Sequence, residues 1–174
     1  MEKLILMNSY DFKDLPENIF AIDIEVKLDE EFINFMSHWV LNFSIPHILI
    51  FETISGIREE LEAELKGNKL SYKLDKIKGI DRYNIFINDI NEFISGLKLA
   101  IFEINQGFEG YIYIDKINND KNCYQTDVDN LFKDYKYIIV LTEVGCTFIS
   151  NDVKIACAED VAQTFPKNVF FEIL

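Results

Sequence analysis
The segment 98–117, KLAIFEINQGFEGYIYIDKI, constrains the fold more than any other. Its second half alternates. Ile112 and Ile114 face one way, and Tyr111, Tyr113 and Asp115 face the other, because successive residues of a strand project from opposite faces. Aromatic and β-branched residues favour that pleated geometry. Residues 98–105 are mostly apolar, interrupted by Glu103, and read as a first strand. The two-glycine loop 105–110 then closes a β-hairpin. One strand face is left carrying tyrosine and acid, a surface suited to a basic partner.

The same periods organise the rest of the chain. Residues 19–28 alternate most clearly, with Ile22, Ile24, Val26 and Leu28 opposite Asp23, Glu25 and Lys27. Asp29 then caps a helix whose Phe32, Met36, Trp39, Val40 and Phe43 recur at helical spacing. Residues 47–51 read as a central strand, and 3–7 as a short one. A second helix spans 55–66, with Ile57, Leu61 and Leu65 as its apolar stripe and Glu59, Glu60, Glu62 and Glu64 over much of the remainder. Residues 70–75 and 83–87 form a pair of strands across the turn 78–81. Asp89 opens a short helix that Gly96 stops. Residues 11–18 and 118–122 read as loops, and 127–135 as a helix. Strands at 137–141, 146–149 and 153–157 form a meander. A helix at 159–165 and a strand at 169–173 complete the pattern.

These elements define an α+β fold: mainly antiparallel sheet with four or five helices packed against it, in a single compact domain spanning residues 1–174. An apolar fraction of 49% is enough for a substantial core. No stretch is long and apolar enough to suggest a membrane helix, and the first residues carry no cleavage pattern. A cytoplasmic location follows as the expectation.

Charge narrows the partners. The chain carries 17 Lys and Arg against 30 Asp and Glu, a formal net charge of −13. Nucleic-acid binders draw affinity from neutralising phosphates, and anionic lipid repels an acidic chain. Neither partner is therefore expected. The acid is not uniform: Lys66, Lys69, Lys73, Lys76, Lys78 and Arg82 stand against only Asp75 and Asp81 in one window. On an exposed strand such lysines deter unwanted pairing.

Candidate chemistry is sparse. Cys123, Cys146 and Cys157 match no metal or redox spacing, and the only histidines are His38 and His47. Gly145 beside Cys146 would let backbone approach a substrate, so a nucleophile–base pair can be drawn from Cys146 and a histidine, but a buried structural cysteine is the stronger expectation. Oxygen ligands are densest at Asn118, Asn119 and Asp120 and at Asp127 and Asp129, and neither set fits a calcium loop. No cofactor and no metal is expected. Tyr111, Tyr113 and Asp115, together with Glu59, Glu60, Glu62 and Glu64, are the candidate partner-binding residues. They point to an acidic protein-binding module that neutralises a basic protein, for example a bacterial immunity protein inhibiting a nuclease toxin. The alternatives are a small-molecule enzyme with a pocket between sheet and helices, and a non-catalytic oligomer or scaffold subunit joined through a sheet edge.

Overall fold
The structure is a computed structural model, and it describes residues 3–9, 19–116 and 134–174. The expected loops at 11–18 and 118–122, the acidic clusters within 118–129, Cys123 and most of the expected helix at 127–135 lie outside the described residues. The chain is α+β. Among the described residues nine strands form one sheet: β1 (Leu4–Asn8), β2 (Phe20–Glu25), β3 (Ile48–Ile54), β4 (Ser71–Ile77), β5 (Ile80–Phe86), β6 (Gly110–Lys116), β7 (Tyr135–Thr142), β8 (Gly145–Ser150) and β9 (Phe171–Ile173). Their order is β4-β5-β3-β6-β7-β8-β2-β1-β9. Every pairing is antiparallel except that of β9 with β1. Among the described residues there are four α-helices: α1 (Glu30–Trp39), α2 (Arg58–Gly67), α3 (Ile90–Ile104) and α4 (Ala158–Gln163).

Side-chain alternation divides the sheet into two faces. Leu4, Leu6, Ile22, Ile24, Leu49, Phe51, Ile112, Ile114, Ile139 and Phe148 belong to the large core that also takes in the buried residues of all four helices. Ile48, Tyr113, Ile138, Val140 and Ile149 form a second cluster on the opposite face. Trp39 sits at the centre of an aromatic stack in the large core, within 5.3 Å of Phe35, Phe148 and Phe165 between ring centroids. Its indole N–H donates to Thr164 Oγ1 at 2.7 Å, so the buried ring leaves no polar atom unpaired.

Local chemistry explains most boundaries. Asp29 accepts from the N–H groups of Glu31 and Phe32 at 2.9 and 3.2 Å and opens α1. Lys78 and Gly79, both at positive φ, form the two-residue turn between β4 and β5, whose twist suits the strands it joins.

Three expectations fail. Residues 98–105 are not a strand: Lys98 to Ile104 are the second half of α3, which turns at Asn105–Gly107 into β6. Gly96 does not stop the helix. It is buried against β3 and β5, where an added Cβ would lie 3.1 Å from Leu49 Cδ2 and 3.5 Å from Ile85 Cδ1. It lets α3 approach the sheet closely. Residues 153–157 are likewise not a third meander strand. Ile155 N–H donates to Asp152 O in a turn, Val153 is exposed, and the chain leaves the sheet for α4.

Candidate functional site
The acidic helix and the tyrosine strand lie on opposite faces of the sheet. Leu61 and Leu65 anchor α2 in the large core. Tyr111 and Tyr113 belong to the second cluster. The structure therefore does not assemble the expected residues into one surface.

The tyrosine face is largely not available. Tyr113 is only 4% exposed, and burial pushes its phenol above the usual range. Tyr111 is half-buried and donates its hydroxyl to Glu109. Burial first, and then that carboxylate, raise its pKa. Asp115 sits 3.9 Å from Lys136 Nζ. The basic strand β4 does not balance it, because β5 and β3 stand between β4 and β6. Alternation placed Tyr111 and Tyr113 on one face correctly, whereas Asp115 lies at positive φ and leaves the extended alternation. Alternation carries no information about whether that face is covered.

The acidic helix is different. It follows a 3₁₀ turn at Ser55–Ile57, and Glu59 and Glu60 fall in its first turn, where the helix dipole favours negative charge. At its end Leu70 N–H donates to Leu65 O and Asn68 N–H to Glu64 O. The four glutamates then separate. Glu62 is half-buried, pairs with Lys66 at 3.3 Å and lies beside Tyr72. Glu59, Glu60 and Glu64 are exposed and have no ion pair among the described residues.

Next to Glu59 in the sequence, Arg58 is engaged by Asp81, a role the sequence reading missed. Asp81 lies on β5 opposite Thr53, points into the helix-covered side of the sheet and is fully buried. The Arg58 guanidinium grips it with two hydrogen bonds, Nε to Oδ2 at 2.5 Å and Nη2 to Oδ1 at 2.7 Å, and Ser55 Oγ adds a third at 2.9 Å. Arg58 foremost among these holds the Asp81 carboxyl below its ordinary range. The cation that opens α2 is thus committed inward. Beside it lies a shallow groove of about 270 Å³ lined by Ser55, Gly56, Arg58, Glu59 and Glu60. The sequence did hold a signal for this. Asp81 shares period two with Tyr83, Ile85 and Ile87, all of which point inward.

The nucleophile–base pair is not assembled. Cys146 is buried on β8, where burial pushes its thiol well above the usual range. Gly145 serves packing, since a Cβ there would lie 2.3 Å from Ile24 O. His47 is exposed ahead of β3, and β6 and β7 separate that strand from β8. Three strand spacings put the two residues about 14 Å or more apart. His38, exposed on α1, has Nδ1 2.8 Å from Asn34 O. It lines a groove of about 480 Å³ with Glu30, Glu31, Asn34, Phe35 and residues 166–169. Among the described residues no three His, Cys, Asp or Glu side chains are grouped to hold a metal ion, and no helix is long and apolar enough to cross a membrane. Comparison with protein families, with curated proteins and with solved structures returns no match.

Proposed function
We propose that the protein is a cytoplasmic binding module that docks a basic protein through the outward face of α2 and so neutralises it. Its concrete form is an immunity protein that occupies the cationic cleft of a nuclease toxin and excludes the nucleic acid. The observation that carries this reading is the set Glu59, Glu60 and Glu64, exposed and without an ion pair among the described residues while Arg58 is turned onto Asp81. A net charge of −13 adds a long-range field that steers a cationic partner. Tyr111 and Asp115 are secondary to this surface.

The test is binding of the immobilised chain to a panel of purified basic nucleases and basic non-nucleases at low and high salt. A nuclease is expected to bind at low salt, with an association rate that falls steeply as salt rises. Replacing Glu59, Glu60 and Glu64 together by Gln is expected to slow association about tenfold. Glu62→Gln, already paired with Lys66, is expected to change it little. If no basic protein is retained at low salt, or if the triple variant binds as well as the parent, the reading fails.

A further inference from the structure
The two edges of the sheet are built oppositely. The β4 edge carries Lys73 and Lys76, flanked by Lys69 and Lys78, and charged side chains of this kind block edge-to-edge pairing. The β9 edge has no proline and no unpaired lysine on its strand. Instead Phe170, Phe171, Ile173 and Leu174 are all exposed, Phe170 by 77% and Leu174 by 69%.

Register decides which backbone groups remain open there. Leu4 pairs with Phe171, Ile5 with Glu172 and Leu6 with Ile173. Leu4 N–H donates to Phe170 O, and Leu174 N–H donates to Leu6 O. In a parallel ladder the alternate residue Glu172 then supplies the remaining bonds to β1. The N–H and C=O groups of Phe171 and Ile173 accordingly point outward, away from β1.

We propose that this edge pairs with the β9 edge of a second copy of the chain, antiparallel about a two-fold axis beside Glu172, so that one sheet runs through both copies. In that arrangement Phe171 of each copy faces Ile173 of the other. Each such pair exchanges two N–H···O=C bonds, and all the outward groups are satisfied. The two Glu172 side chains meet at the axis. Each is already paired with Lys3 of its own copy, so the four charges sum to zero. This matters for a chain of net charge −13. From Lys167 to Leu174 the charged side chains are Lys167 and Glu172, so this edge carries far less net charge than the chain as a whole. A two-fold contact also closes on itself, which stops growth at the dimer. The patch is small, so association belongs to the weak, concentration-dependent class.

The test is sedimentation of the whole chain from roughly 1 μM to 1 mM, with amide exchange at both ends of that range. A monomer–dimer equilibrium is expected, and the Phe171 and Ile173 amides slow their exchange at high concentration while those of β4 do not. Ile173→Pro removes an outward N–H and none of the bonds to β1, and is expected to abolish the dimer. Phe170→Lys alters an exposed side chain, cannot disturb the core, and is expected to weaken the dimer at least tenfold. The proposal is overturned by a monomer at every concentration, by species that grow beyond the dimer, or by a dimer that both variants leave intact.

Discussion

Asp152 shows how far a single side chain can be set by its neighbours. Its Oδ2 accepts from the Tyr137 hydroxyl at 2.6 Å and sits 2.9 Å from Lys136 Nζ, while Oδ1 accepts from Lys154 N–H at 3.1 Å. Together, the Tyr137 hydroxyl foremost, these donors lower its pKa from 3.8 to about 2. A carboxyl whose folded pKa is depressed contributes stability that is complete above its unfolded value and is lost as pH falls through the folded one. The window is therefore from about pH 5 down to about pH 2. The side chain is only 10% exposed, which sets the contribution at about 2 kcal/mol. Asp152→Asn is expected to lower stability at pH 7 by about that amount and to flatten the fall below pH 5. Urea unfolding midpoints of both proteins across that range measure it, and parallel curves would refute the assignment.

At the scale of elements, α3 is held to the sheet by more than apolar contact. Glu103 is buried in its last turn, and its Oε2 accepts from Thr53 Oγ1 on β3 at 2.6 Å. Thr53→Val is expected to cost about 1–3 kcal/mol, because it leaves the Glu103 carboxyl buried without its donor. Replacing both, Thr53→Val with Glu103→Leu, is expected to recover most of that loss. A double-mutant cycle in urea reads the coupling, and additive costs would show that the two side chains do not act as a pair. The same glutamate explains why α3 was hard to read. Residues 98–105 present apolar groups broken by one acid, and neither period two nor Gly96 discloses that the acid has a partner on another strand. Elements whose signals are local were legible. These include β2 by its alternation, α1 by Asp29 and its stripe, and β4 and β5 by the turn expected at 78–81, of which Lys78 and Gly79 form the turn while Ile80 and Asp81 already open β5. The candidate site divides in the same way. The exposed glutamates of α2 follow from a helical stripe that fixes the outward face, whereas the burial of Tyr113 and the capture of Arg58 by Asp81 depend on strand neighbours far apart in the sequence.

For the whole molecule, charge ties stability to function with opposite signs. Thirty acids against 17 bases repel one another when folding draws them together. Several ion pairs oppose this, but Lys27–Asp29 and Lys73–Asp75 are exposed, Lys66–Glu62 is exposed at its lysine, and all three contribute little. The pairs Arg58–Asp81 and Arg82–Glu52 are more buried and are screened less by salt. Sodium chloride is therefore expected to raise the melting temperature, since it screens the net repulsion more than the inner pairs. Replacing Glu59, Glu60 and Glu64 by Gln changes the net charge from −13 to −10. That variant is expected to melt about 2 °C higher at low salt and to respond less to added salt. On that outcome, the repulsion outweighs the favourable place of Glu59 and Glu60 in the first turn of α2, and the surface proposed to bind a cationic partner is kept at a cost in stability. Thermal melts of parent and variant between roughly 0.01 and 1 M salt decide the matter. A melting temperature that falls with salt would mean that the exposed ion pairs outweigh the repulsion. A variant that melts lower would mean that the three glutamates support α2 itself rather than burden it.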